Sequence, residues 1–164
     1  MDTELLTSAQ ALAETLTAAG LTLATAESCT GGGLAEVLTT LPGSSLWFER
    51  GFISYSNLSK REMLGVKTET LARHGAVSEP TARVMAEGAL THSPADLAVA
   101  ITGIAGPGGG TEAKPVGTVC FAWASRKHAT RATTLHFPGD RAAVRRQSVS
   151  AAIEGLLGYL REVG

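Results

Sequence analysis

From residue 4 to residue 19 the apolar positions Leu5, Ala9, Leu12 and Leu16 recur at three- and four-residue steps, which predicts a helix with one apolar stripe. Gly20 follows at once and suits the left-handed residue that ends a helix. Residues 21–26 alternate as a short strand, run into the polar, glycine-rich stretch 27–33, and give way to helical character over 34–38. The pattern there is strand, sharp turn, helix. A loop over 41–45 precedes a strand over 48–56 carrying Phe52, Ile53 and Tyr55, and a short helix is expected over 58–64. Ser78, Glu79 and Pro80 open the next helix, with Ser78 as N-cap and proline in the first turn, leading to Val84, Met85 and Leu90.

Residues 96–104 form a nearly continuous apolar run, the signature of a strand covered on both faces. After a Gly- and Pro-rich loop over 106–115, strands are expected over 118–124 and 129–137, then a turn at 138–140. A long helix closes the chain over 141–162, striped by Val144, Val149, Ile153, Leu156 and Leu160. This order implies an α/β layered domain with a mixed sheet whose late strands are antiparallel. In open α/β sheets ligands bind beyond the carboxyl ends of the strands, where the loops after Ala26, Ile53 and Ile101 fall.

Composition narrows the class. With 164 residues, 44% hydrophobic and 18% charged, a single domain over 1–164 is expected. A chain of that size buries roughly 70% of the surface its unfolded form exposes, so neither disulfide nor structural metal is needed. Cys29 and Cys120 lie in unlike contexts and suggest a reduced, cytoplasmic protein. The first residues are acidic where a signal peptide would be basic, and no apolar run nears the ~20 residues of a membrane span. A net charge of −1 offers nucleic acid no overall attraction, although Arg126, Lys127, Arg131, Arg141, Arg145 and Arg146 crowd the late sequence. His74, His92, His128 and His136 are scattered without the spacing of a zinc site, so no metal is expected.

The candidate chemistry centres on Ser28, placed at a strand-to-helix turn where free backbone N–H groups and the helix dipole favour developing negative charge. Gly31, Gly32 and Gly33 carry no side chain and would let a substrate approach the backbone closely, as in phosphate-binding turns, so Cys29, Thr30, Gly31 and Gly32 are candidates to bind it. The plainer alternative makes Ser28 or Thr30 a simple helix cap. Tyr55 and Lys60, five residues apart across a strand end and a helix start, can converge on one cleft, or Lys60 can be an ordinary surface lysine. A lysine works as a base near neutrality only if burial or nearby positive charge lowers its pKa from about 10.4. Thr102, Gly103 and Gly106 supply a wall poor in side chains after the most apolar strand. Arg141 and Arg145, one turn apart, could grip a phosphate, the alternative being solvated arginines behind an Asp140 N-cap.

Five segments in order, TAESCTGG from Thr25, YSN from Tyr55 with Lys60, GAVS from Gly75, TGIAGP from Thr102 and KPVGT from Lys114, together resemble the CinA C-terminal family. The resemblance spans nearly the whole chain and places the family's serine, tyrosine and lysine on Ser28, Tyr55 and Lys60. It implies a three-layer α/β/α sandwich, homo-oligomers, no cofactor, and, because the chain is expected to stand alone without the molybdopterin-binding-like domain of longer members, a nicotinamide-nucleotide amidohydrolase. The expected substrate is a small nucleotide, nicotinamide mononucleotide, cleaved to nicotinate mononucleotide and ammonia in pyridine nucleotide salvage. The competing reading is a non-catalytic nucleotide-binding regulatory module linked to competence or DNA damage. An ADP-ribose pyrophosphatase would need acidic metal ligands that the sequence does not supply.

Overall fold

The computed structural model describes residues 2–163; Met1 and Gly164, the two ends of the expected domain, lie outside them. Helix α1 spans Thr3–Ala19, opened by the Asp2 carboxylate accepting the Glu4 N–H and closed by Gly20 at φ 67°, whose N–H reaches back to the Leu16 and Thr17 carbonyls. Five strands follow in the order β1 (Leu23–Glu27), β2 (Phe48–Ile53), β3 (Leu97–Gly103), β4 (Thr118–Ser125) and β5 (Arg131–His136). Between them come α2 (Gly33–Thr39), α3 (Asn57–Leu64), α4 (Thr68–His74) and α5 (Glu79–Thr91), and α6 (Arg141–Val163) ends the fold. Ser78 caps α5 by accepting the Thr81 N–H, with proline in the first turn, as its sequence predicts.

The strands form one sheet in the order β2-β1-β3-β4-β5. β1 runs parallel to both β2 and β3, whereas β4 is antiparallel to β3 and to β5. Side chains alternate between the two faces, and the faces differ in size. Leu23, Leu97, Val99, Ile101, Val119, Phe121 and Trp123 pack against α1, α2 and α6. The other face is a carpet of Ala24, Ala26, Ala98, Ala100, Ala122 and Ala124 with Cys120, on which α5 lies through Ala82, Met85, Ala86 and Ala89. Each large aliphatic or aromatic side chain buried on the first face contributes roughly 1.5–3 kcal/mol, while the alanine face lets a helix backbone come close. The result is a three-layer α/β/α sandwich, the fold implied by the sequence.

Two local expectations need adjustment. The alternation over 21–26 does not carry through to burial: all five residues of β1 are buried because the strand sits between β2 and β3 with helices over both faces. The pattern also gave no sign of α4, which buries no residue fully and has no side-chain N-cap. The parallel run of β1, β2 and β3 brings their carboxyl ends together at one edge of the sheet. Ser28, Ser54 and Thr102 follow or end those strands, and this edge is where the candidate residues meet.

Candidate active site

β1 ends at Glu27, and Ser28 continues its line far enough to donate its N–H to the Ile101 carbonyl at 3.0 Å. The chain then turns sharply, with the Gly31 N–H returning to the Ser28 carbonyl at 3.0 Å. Gly31 and Gly32 take φ values of 59° and 101°, left-handed conformations that a side chain would strain. Neither Ser28 nor Thr30 caps α2, which overturns the plain capping alternative. The N-cap position is Gly32, and the role falls to Glu27, whose carboxylate accepts the N–H groups of Gly32, Leu34 and Ala35 and the Thr30 hydroxyl.

Lys60 arrives from the neighbouring strand. The Ser54 N–H donates to the Glu27 carbonyl at 2.8 Å, which extends the β1–β2 pairing, and Ser56 then caps α3 by accepting the Ser59 N–H. One turn into that helix, Lys60 points back under the strand ends and is 1% exposed, so it is no surface lysine. Its Nζ lies 2.9 Å from Ser28 Oγ, 3.0 Å from the Ser54 carbonyl and 3.0 Å from the Tyr55 carbonyl. Among the described residues the ion pairs are Arg50 with Glu49 and Arg131 with Glu162, so the ammonium has no carboxylate partner. Burial lowers the Lys60 pKa to about 8, against a smaller opposing influence of Cys29. The adjacent Cys29 thiol is itself pushed up to about 11, chiefly by burial, and is inert near neutrality.

A buried serine hydroxyl hydrogen-bonded to an unpaired lysine of lowered pKa is an arrangement in which the amine can accept the hydroxyl proton. The CinA C-terminal domain family matches the sequence over residues 6–160. The chain belongs to that family. Over 155 residues it is 54% identical to the nicotinamide-nucleotide amidohydrolase PncC of Escherichia coli strain K12, covering 94% of each chain. The PncC of Pseudomonas putida is 53% identical over 135 residues, covering 81% of this chain and 82% of that one. Among solved structures, a competence/damage inducible protein of Agrobacterium tumefaciens, CihA, superposes with a TM-score of 0.94 at 45% identity over 96% of both chains.

In this CinA domain the serine and lysine open into a cavity of about 200 Å³ lined also by Cys29, Tyr55, Asn57, Ala76, Val77, Thr102, Gly103, Ala105 and Arg141. Tyr55 enters it differently from the sequence expectation: its carbonyl accepts from Lys60, while its half-exposed phenol accepts a hydrogen bond from Arg141 at 3.3 Å and makes none to Ser28 or Lys60. Thr102 donates to the Ala76 carbonyl at 2.9 Å and so ties the 75–78 wall to β3. Arg141 also holds the Gly106 carbonyl at 2.8 Å. Arg145 is spent elsewhere, on the Cys29 and Thr30 carbonyls at 3.2 Å each, so the two arginines do not form one clamp. Asp140 does cap α6, accepting the Ala143 N–H at 2.9 Å. The N–H groups of Gly31 and Gly32 are committed within the turn, whereas those of Cys29 and Thr30 have no acceptor among the described residues.

Three contributors had no role in the sequence reading: the Glu27 carboxylate and the Ala76–Val77 wall, present there only within matched segments, and the Ser54 carbonyl. A glutamate closing an apolar strand directly before a glycine turn was the available signal for the first; main-chain acceptors carry none. No group of three metal-binding side chains occurs among the described residues.

Proposed function

We propose that this chain hydrolyses the carboxamide of nicotinamide mononucleotide, with Ser28 as nucleophile and Lys60 as its base. The observation that carries the reading is the 2.9 Å contact between a buried, unpaired lysine and the serine hydroxyl. As a neutral amine Lys60 keeps two N–H groups for the Ser54 and Tyr55 carbonyls and turns its lone pair to the Ser28 hydroxyl. Ser28 Oγ attacks the amide carbon as its proton passes to Nζ, and the free Cys29 and Thr30 N–H groups are the candidates to hold the oxyanion. As the tetrahedral adduct collapses, the C–N bond breaks while the leaving nitrogen takes the proton from Lys60, so ammonia departs and an acyl-serine remains. Water then attacks that ester with the same amine as base, releasing nicotinate mononucleotide and restoring the serine. Tyr55 serves through its main-chain carbonyl, and its phenol helps to orient Arg141.

The cavity of about 200 Å³ is smaller than the roughly 300–1,000 Å³ usual for a small-molecule site, so it suits the ring and amide alone. A second hollow of about 460 Å³ shares Ala105 and Arg141 with it and is lined by Pro107, Val116, Gly139 and Asp140. The ribose phosphate fits there, with Arg141 between the two chambers as the phosphate ligand. No helix among the described residues is long and apolar enough to cross a membrane. The kinship with named amidohydrolases supports the same substrate class, and we extend the family's oligomerisation to this chain. Incubating the purified protein with nicotinamide mononucleotide and measuring ammonia tests the proposal: Ser28→Ala should abolish release while melting as the wild type does. Near-normal turnover by that variant would remove Ser28 as nucleophile.

A further inference from the structure

The serine and lysine must stay in register although one follows β1 and the other rides on α3 beyond β2, and Glu27 contacts the framework of both, through its carboxylate on the serine side and its main-chain carbonyl on the lysine side. It is 1% exposed and carries no ion-pair partner among the described residues. Its Oε1 accepts the Thr30 hydroxyl at 2.6 Å, the Gly32 N–H at 3.2 Å and the Leu34 N–H at 2.9 Å, and Oε2 accepts the Ala35 N–H at 3.0 Å. These contacts bracket the whole turn from the residue before Ser28 to the third residue of α2. On the other side the Glu27 carbonyl holds the Ser54 N–H at 2.8 Å, and the Ser54 carbonyl in turn accepts from Lys60.

The first turn of α2 would otherwise offer its N–H groups to any anion. Here the chain fills that place with its own carboxylate, so neither substrate phosphate nor oxyanion can take it. What stays open among the described residues is the pair of N–H groups at Cys29 and Thr30, the two residues that follow Ser28 in the chain.

We infer that Glu27 is a positioning residue: its carboxylate locks the turn that aims Ser28 Oγ at Lys60 and leaves the Cys29 and Thr30 N–H groups unpaired. This inference rests on the hydrolase reading above for its kinetic consequence. A misplacement of about 1 Å in such a pair costs on the order of 100-fold in rate, without touching groups that bind the substrate.

The experiment measures kcat and KM for ammonia release from nicotinamide mononucleotide by wild type, Glu27→Ala, Glu27→Gln and Ser28→Ala. In parallel it follows the labelling of Ser28 by a fluorophosphonate probe, read by mass spectrometry, with folding checked by circular dichroism. Glu27→Ala should lose about 100-fold in kcat with KM within about threefold, and Ser28 labelling should slow at least about tenfold. Glu27→Gln can present its amide oxygen to the three donors at Oε1 and opposes one N–H alone, so it should lose only about five- to tenfold in kcat. A folded Glu27→Ala within about threefold of wild type in both rate and labelling overturns the inference, as does a loss that matches the unfolded fraction. If the alanine variant does not fold, Glu27→Gln decides, and unchanged kcat and labelling in it overturn the inference. A wild type that labels at Ser28 yet releases no ammonia refutes the substrate reading instead, and the labelling rates alone then judge Glu27.

Discussion

Burial holds Lys60 near 8, so at neutral pH most molecules carry the ammonium and only a minority carry the free amine that the proposed mechanism uses as base. kcat/KM should therefore climb about tenfold per pH unit below 8 and level off above it, a limb that Lys60→Met abolishes together with most of the activity. The same shift acts on stability with a definite sign. The folded pKa lies below the unfolded value of about 10.4, so between the two the unfolded chain holds more protons and stability rises with pH; that gain is lost as pH falls through 8. Urea denaturation at about pH 7 and about pH 10 should show the wild type gaining on Lys60→Met as pH rises. For Arg141→Gln we expect a KM for nicotinamide mononucleotide raised at least about tenfold with little effect on the phosphate-free riboside, since a charge-assisted contact is worth about 1.5–3 kcal/mol. Equal losses on both compounds would place the phosphate elsewhere. At this scale Ser28 and Lys60 were legible because a hydroxyl at a strand-to-helix turn and a lysine just past a strand end are chemical signals. Tyr55 was legible as a neighbour of the cleft but its inward atom was not, since spacing reports proximity of residues and not whether carbonyl or hydroxyl faces Lys60.

Among the elements, α6 shows how packing overrides propensity. Gly155 sits in its interior, where alanine would ordinarily stabilise a helix by about 1 kcal/mol. A Cβ there would stand 1.9 Å from Trp123 Cζ2, and at Gly88 in α5 one would stand 2.0 Å from the Leu64 carbonyl oxygen of α3. Gly155→Ala and Gly88→Ala should each destabilise the protein by roughly 1–3 kcal/mol in urea titrations, the reverse of the propensity expectation. Most helices and strands could be read directly because their apolar periods are strong. α4 could not, for its half-buried Leu71 stands alone and a helix without a stripe has no period.

Over the whole molecule the hairpin of β4 and β5 follows from adjacency, but the placing of β1 between β2 and β3 depends on crossovers that no local pattern encodes. β2 is left at the margin of the sheet, and beside its end Ile53 and Leu58 are 51% and 57% exposed. If copies of the chain associate through this margin, Ile53→Lys with Leu58→Glu should shift the sedimentation coefficient to that of a monomer. An unchanged coefficient would move the contact to another face. The alanine carpet has a consequence for engineering. Methyl groups act as a thin shim beneath α5, and α3, braced on α5 where Gly88 meets Leu64, inherits the height so fixed. The amine at position 60 thus reaches the hydroxyl at a distance gauged from below, and thickening the shim at Ala98 or Ala122 should pull the two apart although neither residue is itself substituted.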